Sequence, residues 1–532
     1  MIPTVKPKIR VPARTRATAG FTAGEAMALR QFMAGQYIGA RSDRNALKNW
    51  NPLVGSADGD TIGDLQTLRA RSRDLVRNAP LAGGAVATVV TNTVGTGLRL
   101  RSTIDRDFLG LTEEQADAWQ NAAERIYRTW AESTHCDLTM TQTFAGLQDL
   151  AFRSTLESGD VFIIRRHKPR PGAILGLTLQ IVEADRVSTP DGKQDGPRLV
   201  DGIEIDGDGA PVRYWIRSGF PDQTTGWVRD VPTWDPVPAF GASGARVTLH
   251  LFRRLRPGLN RGAPYLAPII EPLKQLDRYS EAEIMAAVVS ALFTVFVKTP
   301  SGQGLGDLEG AVPATGGYAL GTGAILDLGP GEEVEIANPG RPNTAFDPFV
   351  QAVLRQIGVA LELPFEILVK HFTASYSASK AAVEQAFQFF RTRRAWLEEN
   401  LCDPVYEWVI TEAILRGYLD APGFLDDPMI RAAYLGTEWI GPKRITLDPL
   451  KEAKADEVLI GLKVKTRSEV CVETTGVDLD RKLPQIRKEE ALFPPPAPAP
   501  AAGIGHNGGP PMDGQDGQDG QDDAGQHEEP EE

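Results

Sequence analysis

Apolar side chains recur at helical intervals through the first third of the chain. Leu65, Leu68 and Leu75 predict a helix over Leu65–Asn78, which Pro80 interrupts. Helix resumes over Ala82–Thr93 and stops near Gly95 and Gly97. Trp119, Ala122, Ala123, Ile126 and Trp130 predict a longer helix within Thr112–Ser133. Thr112, with Gln115 three positions on, has the spacing of a capping box. From Val161 the period shortens. Val161–Arg165, Leu177–Val182, Leu199–Ile205, Val212–Ile216 and Arg246–Phe252 are short and rich in β-branched or aromatic residues, which predicts strands. Asp206-Gly207-Asp208-Gly209 reads as a hairpin turn between two of them.

The helical period then returns. Leu266, Ile269, Ile270, Leu273 and Leu276 form a stripe, and Ala282–Val297 is apolar on most sides, so one long helix is expected over 266–297. A helix apolar all round must be covered by neighbours, in its own domain or in other subunits. Residues 298–345 are Gly-rich and broken, with short strands expected at Ala324–Leu328 and Val334–Ile336. Asp347-Pro348 reads as an N-cap with proline at the first helical position, opening a helix to about Leu361. Residues 363–377 read as a loop. A further helix runs from about Ser377 to Asn400, with Val383, Phe387, Phe390 and Leu397 on one side. Asp403-Pro404 reads as a new cap, so the helix is kinked or renewed there before it ends at Gly417. Another helix is expected over Leu450–Leu462, and Phe493–Glu532 is low-complexity.

Length and composition fit that reading. A chain of 532 residues predicts two to four structural units, and 42% hydrophobic with 24% charged residues suffices for a sizeable core. The formal charge of -13 is uneven. Residues 513–532 hold nine acids and no Lys or Arg, which leaves about -4 for the remainder. Lys6, Lys8, Arg10, Arg14 and Arg16 all precede the first acid, Glu25, so residues 1–20 read as a disordered basic arm. The Pro-rich and Gly-Gln-Asp-repeating end reads as a disordered acidic tail. The N-terminus lacks the apolar core of a secretory signal. The longest strongly apolar run, Ile284–Val297, is shorter than the roughly 18–20 residues a bilayer requires, so no membrane association is expected. Cys136, Cys402 and Cys471 are far apart, which argues against a disulfide framework or a Cys-based zinc site.

Catalytic patterns do not emerge. There is no GxxxxGK[ST], no GxSxG and no HExxH. His135-Cys136-Asp137 is the densest polar cluster and reads as a loop or helix end. Gly302–Gly306 fails the GxGxxG spacing, and no EF-hand ligand spacing follows Asp206. No catalytic residue, metal or cofactor is assigned, and the chain reads as a structural protein rather than an enzyme.

Four groups of residues carry a resemblance. The first is RDLVRNAPLAGGAV (Arg73–Val86) with TNTVGTGLRL (Thr91–Leu100). The second is RSTLESGDVFI (Arg153–Ile163) with LQIVEADRV (Leu179–Val187). The third is HLFRRLRPGLNRGAPYLAP (His250–Pro268), leading into LKQLDRYSEAE. The fourth is LELPFEIL followed by YSASKAAVEQAF, ending at Phe387. Their order over residues 65–415 is similar to that of the lambda-type family of phage portal proteins. Lys380 stands where that family commonly has Arg, and 1–20 and 491–532 carry no matching motif.

The resemblance implies an α+β subunit with wing, stem, clip and crown regions, assembled into a ring that is usually a dodecamer. It implies a virion protein at the unique vertex of the head, a channel for packaging and ejecting double-stranded DNA. The implied partners are the terminase large subunit, capsid and scaffolding proteins, and head-tail joining proteins. Laid over that plan, 21–265 are wing, helical then β-rich. Residues 266–297 and 346–362 are stem helices flanking a 298–345 clip. Residues 363–377 are a tunnel loop, 378–447 a kinked long helix leading to the crown junction, and 448–492 a crown-like helical region. A duplex that slides must not be gripped, because each neutralised phosphate adds affinity. The channel candidates are therefore few: Lys370 and His371 in the loop, then Lys380, Arg391, Arg393 and Arg394 on the following helix. For the arginines, surface or intersubunit ion pairing is the competing reading. Two other classes stay open: a soluble α+β hydrolase or transferase with an unrecognised site, and a ring-forming tail or baseplate protein without a DNA tunnel.

Overall fold

The computed structural model describes residues 45–221, 232–291, 295–298, 333–336, 345–372, 375–443, 446, 448–477 and 479–492. Helices α1 (Ile62–Asn78) and α2 (Pro80–Thr93) meet at Ala79, whose extended backbone lets Pro80 open the second helix. Strand β1 (Arg99–Ser102) and the single turn α3 (Arg106–Leu109) lead to α4 (Glu113–Ala131). The Thr112 capping box is present: the Thr112 hydroxyl accepts from the Gln115 amide at 3.3 Å, and the Gln115 side chain accepts from the Thr112 amide at 2.9 Å. Helix α5 (Phe144–Ser158) ends at Gly159 and feeds straight into β2 (Asp160–His167).

Strand β2 is the centre of a three-stranded antiparallel sheet, between β3 (Leu177–Glu183) and β8 (Thr248–Phe252). Between β3 and β8 the chain makes a four-stranded meander: β4 (Leu199–Val200), β5 (Ile203–Ile205), β6 (Pro211–Arg217) and β7 (Trp234–Pro238). The expected single strand over Leu199–Ile205 is two strands. Asp201 and Gly202, at φ 42° and 81°, turn the chain between them in a backbone conformation that stops a strand. The expected turn at 206–209 does join β5 to β6.

Alternation explains why Val161–Ile164 is apolar without interruption. Val161 and Ile163 face the main helical core, whereas Phe162 and Ile164 face a second core with Val182, Tyr214 and Ile216 from β3 and the meander. Successive side chains point to opposite faces, so a strand buried on both sides has no polar position to offer.

Helix α6 (Ile270–Ala291) follows a 3-10 turn at Ala267–Ile269. It is shorter than the expected 266–297 helix. Val295–Lys298 forms strand β9, paired antiparallel with β10 (Glu333–Ile336). Its Val-Phe-Val sequence favours extended backbone once a partner strand is available. The second strand expected in that segment, Ala324–Leu328, lies outside the described residues, as do the two terminal segments 1–20 and 493–532. The expected burial of the apolar helix is not met within one subunit. Ile284, Met285 and Val288 are each at least half exposed, at 63%, 57% and 50%.

Helix α7 (Phe346–Ala360) begins one residue before Asp347, which is not its cap; Ala345 is. Asp347 lies in the first turn and accepts from the Gln351 side chain at 2.7 Å. A short helix α8 (Phe365–Val369) occupies part of the expected 363–377 loop, because Pro364 suits the position before a helix and Ile367 and Leu368 have a core to enter. Then come α9 (Tyr376–Leu397) and α10 (Asp403–Leu415). The Asp403-Pro404 pair does not restart the helix. A π turn at Glu398–Cys402 carries the backbone through, and Asp403 instead accepts from Thr437 Oγ1 and Trp439 Nε1, both at 2.7 Å. Helix α11 (Pro428–Tyr434) precedes β11 (Thr437–Ile440), which pairs with β1. Helices α12 (Pro449–Gly461), α13 (Arg467–Thr475) and α14 (Leu479–Leu492) complete an α+β fold.

Candidate DNA-facing site

Residues of the second and third sequence groups meet, together with Arg69, at Asp160, fully buried at the first residue of β2. Arg261 Nε donates to Asp160 Oδ2 at 2.6 Å, and Arg69 Nη2 donates to Asp160 Oδ1 at 2.8 Å. His250 Nε2 lies 3.2 Å from Oδ2. Arg261 is itself fully buried and uses its remaining N–H groups on the carbonyls of Ala184, Val187 and Asp201 and on the Asp201 carboxylate, at 2.7–3.0 Å. A guanidinium so deep in the protein is tolerable only when its donors are matched in this way. Arg73 extends the network to Ser158, Glu183 and Asp185.

Burial alone would raise the Asp160 carboxyl, but the Arg261 and Arg69 guanidiniums and the His250 contact overcome it and hold Asp160 well below the usual carboxylate range. Burial pulls His250 down, against the opposing pull of Asp160. Gly159 and Gly262 make the close approach possible. Gly159 sits at φ 91°, and a Cβ on either residue would collide with the carbonyl of the other.

This cluster fixes the segment that carries the loop candidates. Three residues after Gly262, Tyr265 donates its amide to Leu156 O at 2.9 Å and its hydroxyl to Leu361 O. Arg393 stacks over Phe389 and Tyr265, with ring centroids 4.7 and 5.8 Å away, and pairs with Glu362 at 3.3 Å. Leu363 N donates to Gly358 O at 2.9 Å, a tight return that leaves no room for a Cβ at Gly358. From this anchored base α8 runs outward and ends on Lys370, which adopts the left-handed conformation (φ 56°). The amide of His371 donates back to Glu366 O at 3.1 Å. Lys370 and His371 are exposed on this shoulder. Ser375, whose hydroxyl accepts from the Ala378 amide at 3.4 Å, opens α9 beyond it.

Lys380 and Arg391 are also exposed. Arg393 and Arg394, expected among the channel cations, are turned inward, and this corrects the expectation. Arg393 is 4% exposed, and burial lowers its pKa to about 10 against the pull of Glu362. Arg394 donates to the carbonyls of Asn92, Thr93 and Pro442 at 3.1–3.2 Å. Two of those carbonyls end α2, where unpaired acceptors and the helix dipole favour a cation. The geometry adds a residue that pattern reading missed. Exposed Lys443 lines, with Lys370, a mainly apolar hollow of about 180 Å³ walled by Phe372, Phe387 and Phe390. The Lys443-Arg444 pair was the only signal in the sequence.

Among the described residues no group of three His, Cys, Asp or Glu side chains could hold a metal ion. No helix among them is long and apolar enough to cross a membrane.

Residues 43–394 match the family model described as phage portal protein, lambda family. Portal protein B of Escherichia phage lambda is 25% identical over 505 residues, covering 89% of this chain and 93% of that protein. The portal protein of Escherichia phage N15 is 25% identical over 505 residues, with 89% and 94% covered. The probable portal protein of Halomonas phage phiHAP-1 is 24% identical, with 74% and 75% covered. Among solved structures, a chain of a native gene transfer agent virion aligns at a TM-score of 0.42 and 14% identity, over 80% of this chain and 94% of that one.

Proposed function

The chain belongs to the lambda family of phage portal proteins, and on that premise we propose how its surfaces serve a DNA channel. Identical subunits close into a ring, a dodecamer by the family's usual number, at one vertex of the phage head. The terminase large subunit docks on it during packaging, capsid and scaffolding proteins surround it, and head-tail joining proteins bind its outer end. The paired strands β9 and β10 belong to the clip, α6 and α7 to the stem, and α12–α14 to the crown. The half-exposed Ile284, Met285 and Val288 are covered by the neighbouring subunit, since a closed ring gives each copy two different faces to bury.

The observation that carries the DNA-facing assignment is the Lys370–His371 shoulder. Its base is locked by Tyr265, Arg393 and the buried Asp160 cluster, while its tip offers one lysine and one histidine to solvent. A rigid base with a sparse positive tip suits a surface that touches a moving duplex without holding it. Phosphate contacts raise affinity in proportion to their number, so one or two per subunit are enough to steer. Lys443, Lys380 and Arg391 form the second rank.

The test is the double variant Lys370→Ala/His371→Ala in an infectious particle. Rings should form in normal yield, with packaged DNA per particle reduced. Wild-type packaging and retention in that variant remove the shoulder from the DNA path. Electron microscopy of purified protein tests the ring itself: an annulus with a bore of roughly 20 Å or more admits B-form DNA, whereas a compact monomer with a closed polar pocket returns the enzyme reading.

A further inference from the structure

A second basic surface lies away from the shoulder. Strand β1, helix α4 and the start of α14 enclose a crevice of about 410 Å³. Five arginines line it: Arg99 and Arg101 from β1, Arg125 and Arg128 from α4, and Arg481 from α14. Three carboxylates face them, Asp117, Glu124 and Asp480. Glu124 is already engaged, accepting from the Ser102 amide at 3.0 Å and lying 4.0 Å from Arg481. Arg101 lies 3.4 Å from Glu438 and 3.8 Å from Asp480. No carboxylate among the described residues lies within 4.0 Å of Arg99, Arg125 or Arg128, and all three are exposed. Five arginines against three carboxylates leave the crevice lining net positive, with Arg99, Arg125 and Arg128 outside ion-pair distance, and such a site gains from an anionic occupant.

We propose that the occupant is this chain's own acidic C-terminus, residues 513–532, folded back onto the arginine crevice. Charge is the first argument: that segment carries nine acids and no Lys or Arg. Position is the second. Helix α14, which forms one wall through Asp480 and Arg481, is the helix from which the tail departs at Leu492. Reach is the third. Returning from Leu492 to Arg481 retraces eleven residues of helix, about 17 Å at 1.5 Å per residue. Residues 493–512 carry no charge and span up to roughly 65 Å when extended. Tethering by such a linker makes the encounter of the acids with the crevice intramolecular and raises their local concentration there. Docked, the tail neutralises a basic surface that would otherwise attract nucleic acid outside the intended path.

The experiment uses a fluorescent peptide of residues 513–532 and three proteins: the full chain, a truncation ending at residue 512, and that truncation with Arg99→Glu/Arg125→Glu/Arg128→Glu. By fluorescence anisotropy at low salt, the truncation should bind the peptide at least tenfold more tightly than the full chain, whose crevice is occupied from within. The charge-reversed truncation should lose binding by a further factor of ten or more. Raising salt to about 0.5 M should abolish the difference, since exposed charges are then screened. Should the triple reversal fail to assemble, Arg125→Gln/Arg128→Gln, two exposed helix positions, replaces it. Equal binding to full chain and truncation, or undiminished binding to the arginine variants, overturns the proposal. So does a truncation that binds a short DNA duplex through these arginines but not the peptide.

Discussion

Arg261 and Lys370 stand at opposite ends of one chain of contacts, and their charge is used in opposite ways. Arg261 is fully buried, and its guanidinium is matched by Asp160, Asp201 and the carbonyls of Ala184, Val187 and Asp201. Its field ends inside the protein. Lys370 lies exposed at the C-terminal end of α8, on the rim of the apolar hollow it shares with Lys443. Buried ionic groups gain little net stability over an apolar core, but removing one partner is severe because the others remain dry and uncompensated. The first region therefore fixes geometry and tolerates no subtraction. The second can lose a charge with little effect on folding and a direct effect on whatever it touches.

Asp160→Ala is the strongest way to break the contrast. It leaves Arg69 and Arg261 buried without their shared carboxylate, and the expected loss is about 3–5 kcal/mol, read as a fall in Tm or in the denaturant midpoint. A loss under about 1 kcal/mol would mean that water enters the cluster and that it is not dry. Gly262→Ala comes next. The new methyl meets the Gly159 carbonyl, which is backbone and cannot swing away, so a destabilisation of about 1–3 kcal/mol is expected by the same measurement.

Acid sharpens the same comparison. Because the Asp160 carboxyl is held below its ordinary value of 3.8, the unfolded chain binds that proton first. Its contribution is complete above about pH 3.8 and is lost progressively as pH falls below it. Asp160→Asn should therefore show an acid limb shallower by one proton, about 1.4 kcal/mol per pH unit. Parallel limbs for variant and wild type would show that Asp160 titrates normally. The smallest effect is expected at the shoulder. Lys370→Gly relieves a left-handed backbone and should raise stability by less than about 1 kcal/mol, while removing the charge proposed to meet DNA. A variant more stable yet poorer at packaging would separate folding from function at that position.

Elements set by local chemistry could be read from the chain. The Thr112–Gln115 box, the Pro80 break and the 206–209 turn each depend on residues a few positions apart, and each appears where the pattern puts it. The α+β class, which the family resemblance implied, agrees with those elements. What depended on distant partners could not be read. Asp160 meets Arg69 and Arg261 across separations of 91 and 101 residues, so no window of sequence contains the cluster. Arg393 and Arg394 illustrate the same limit. Adjacent on a basic stretch of helix, they looked like surface cations, yet one stacks on two aromatic rings and the other closes the end of α2. Val295–Lys298 continued an apolar helix by composition and became a strand because a complementary strand lies beyond the following segment.

The double-sided burial of β2 bears on how the subunit can flex. A strand cannot turn one face without turning the other, so the meander behind Phe162 and Ile164 and the helices behind Val161 and Ile163 share a single rigid wall. No hinge can open between those two bodies without tearing both. Whatever bending accompanies cargo moving past the subunit must fall on segments that lie beyond this partition.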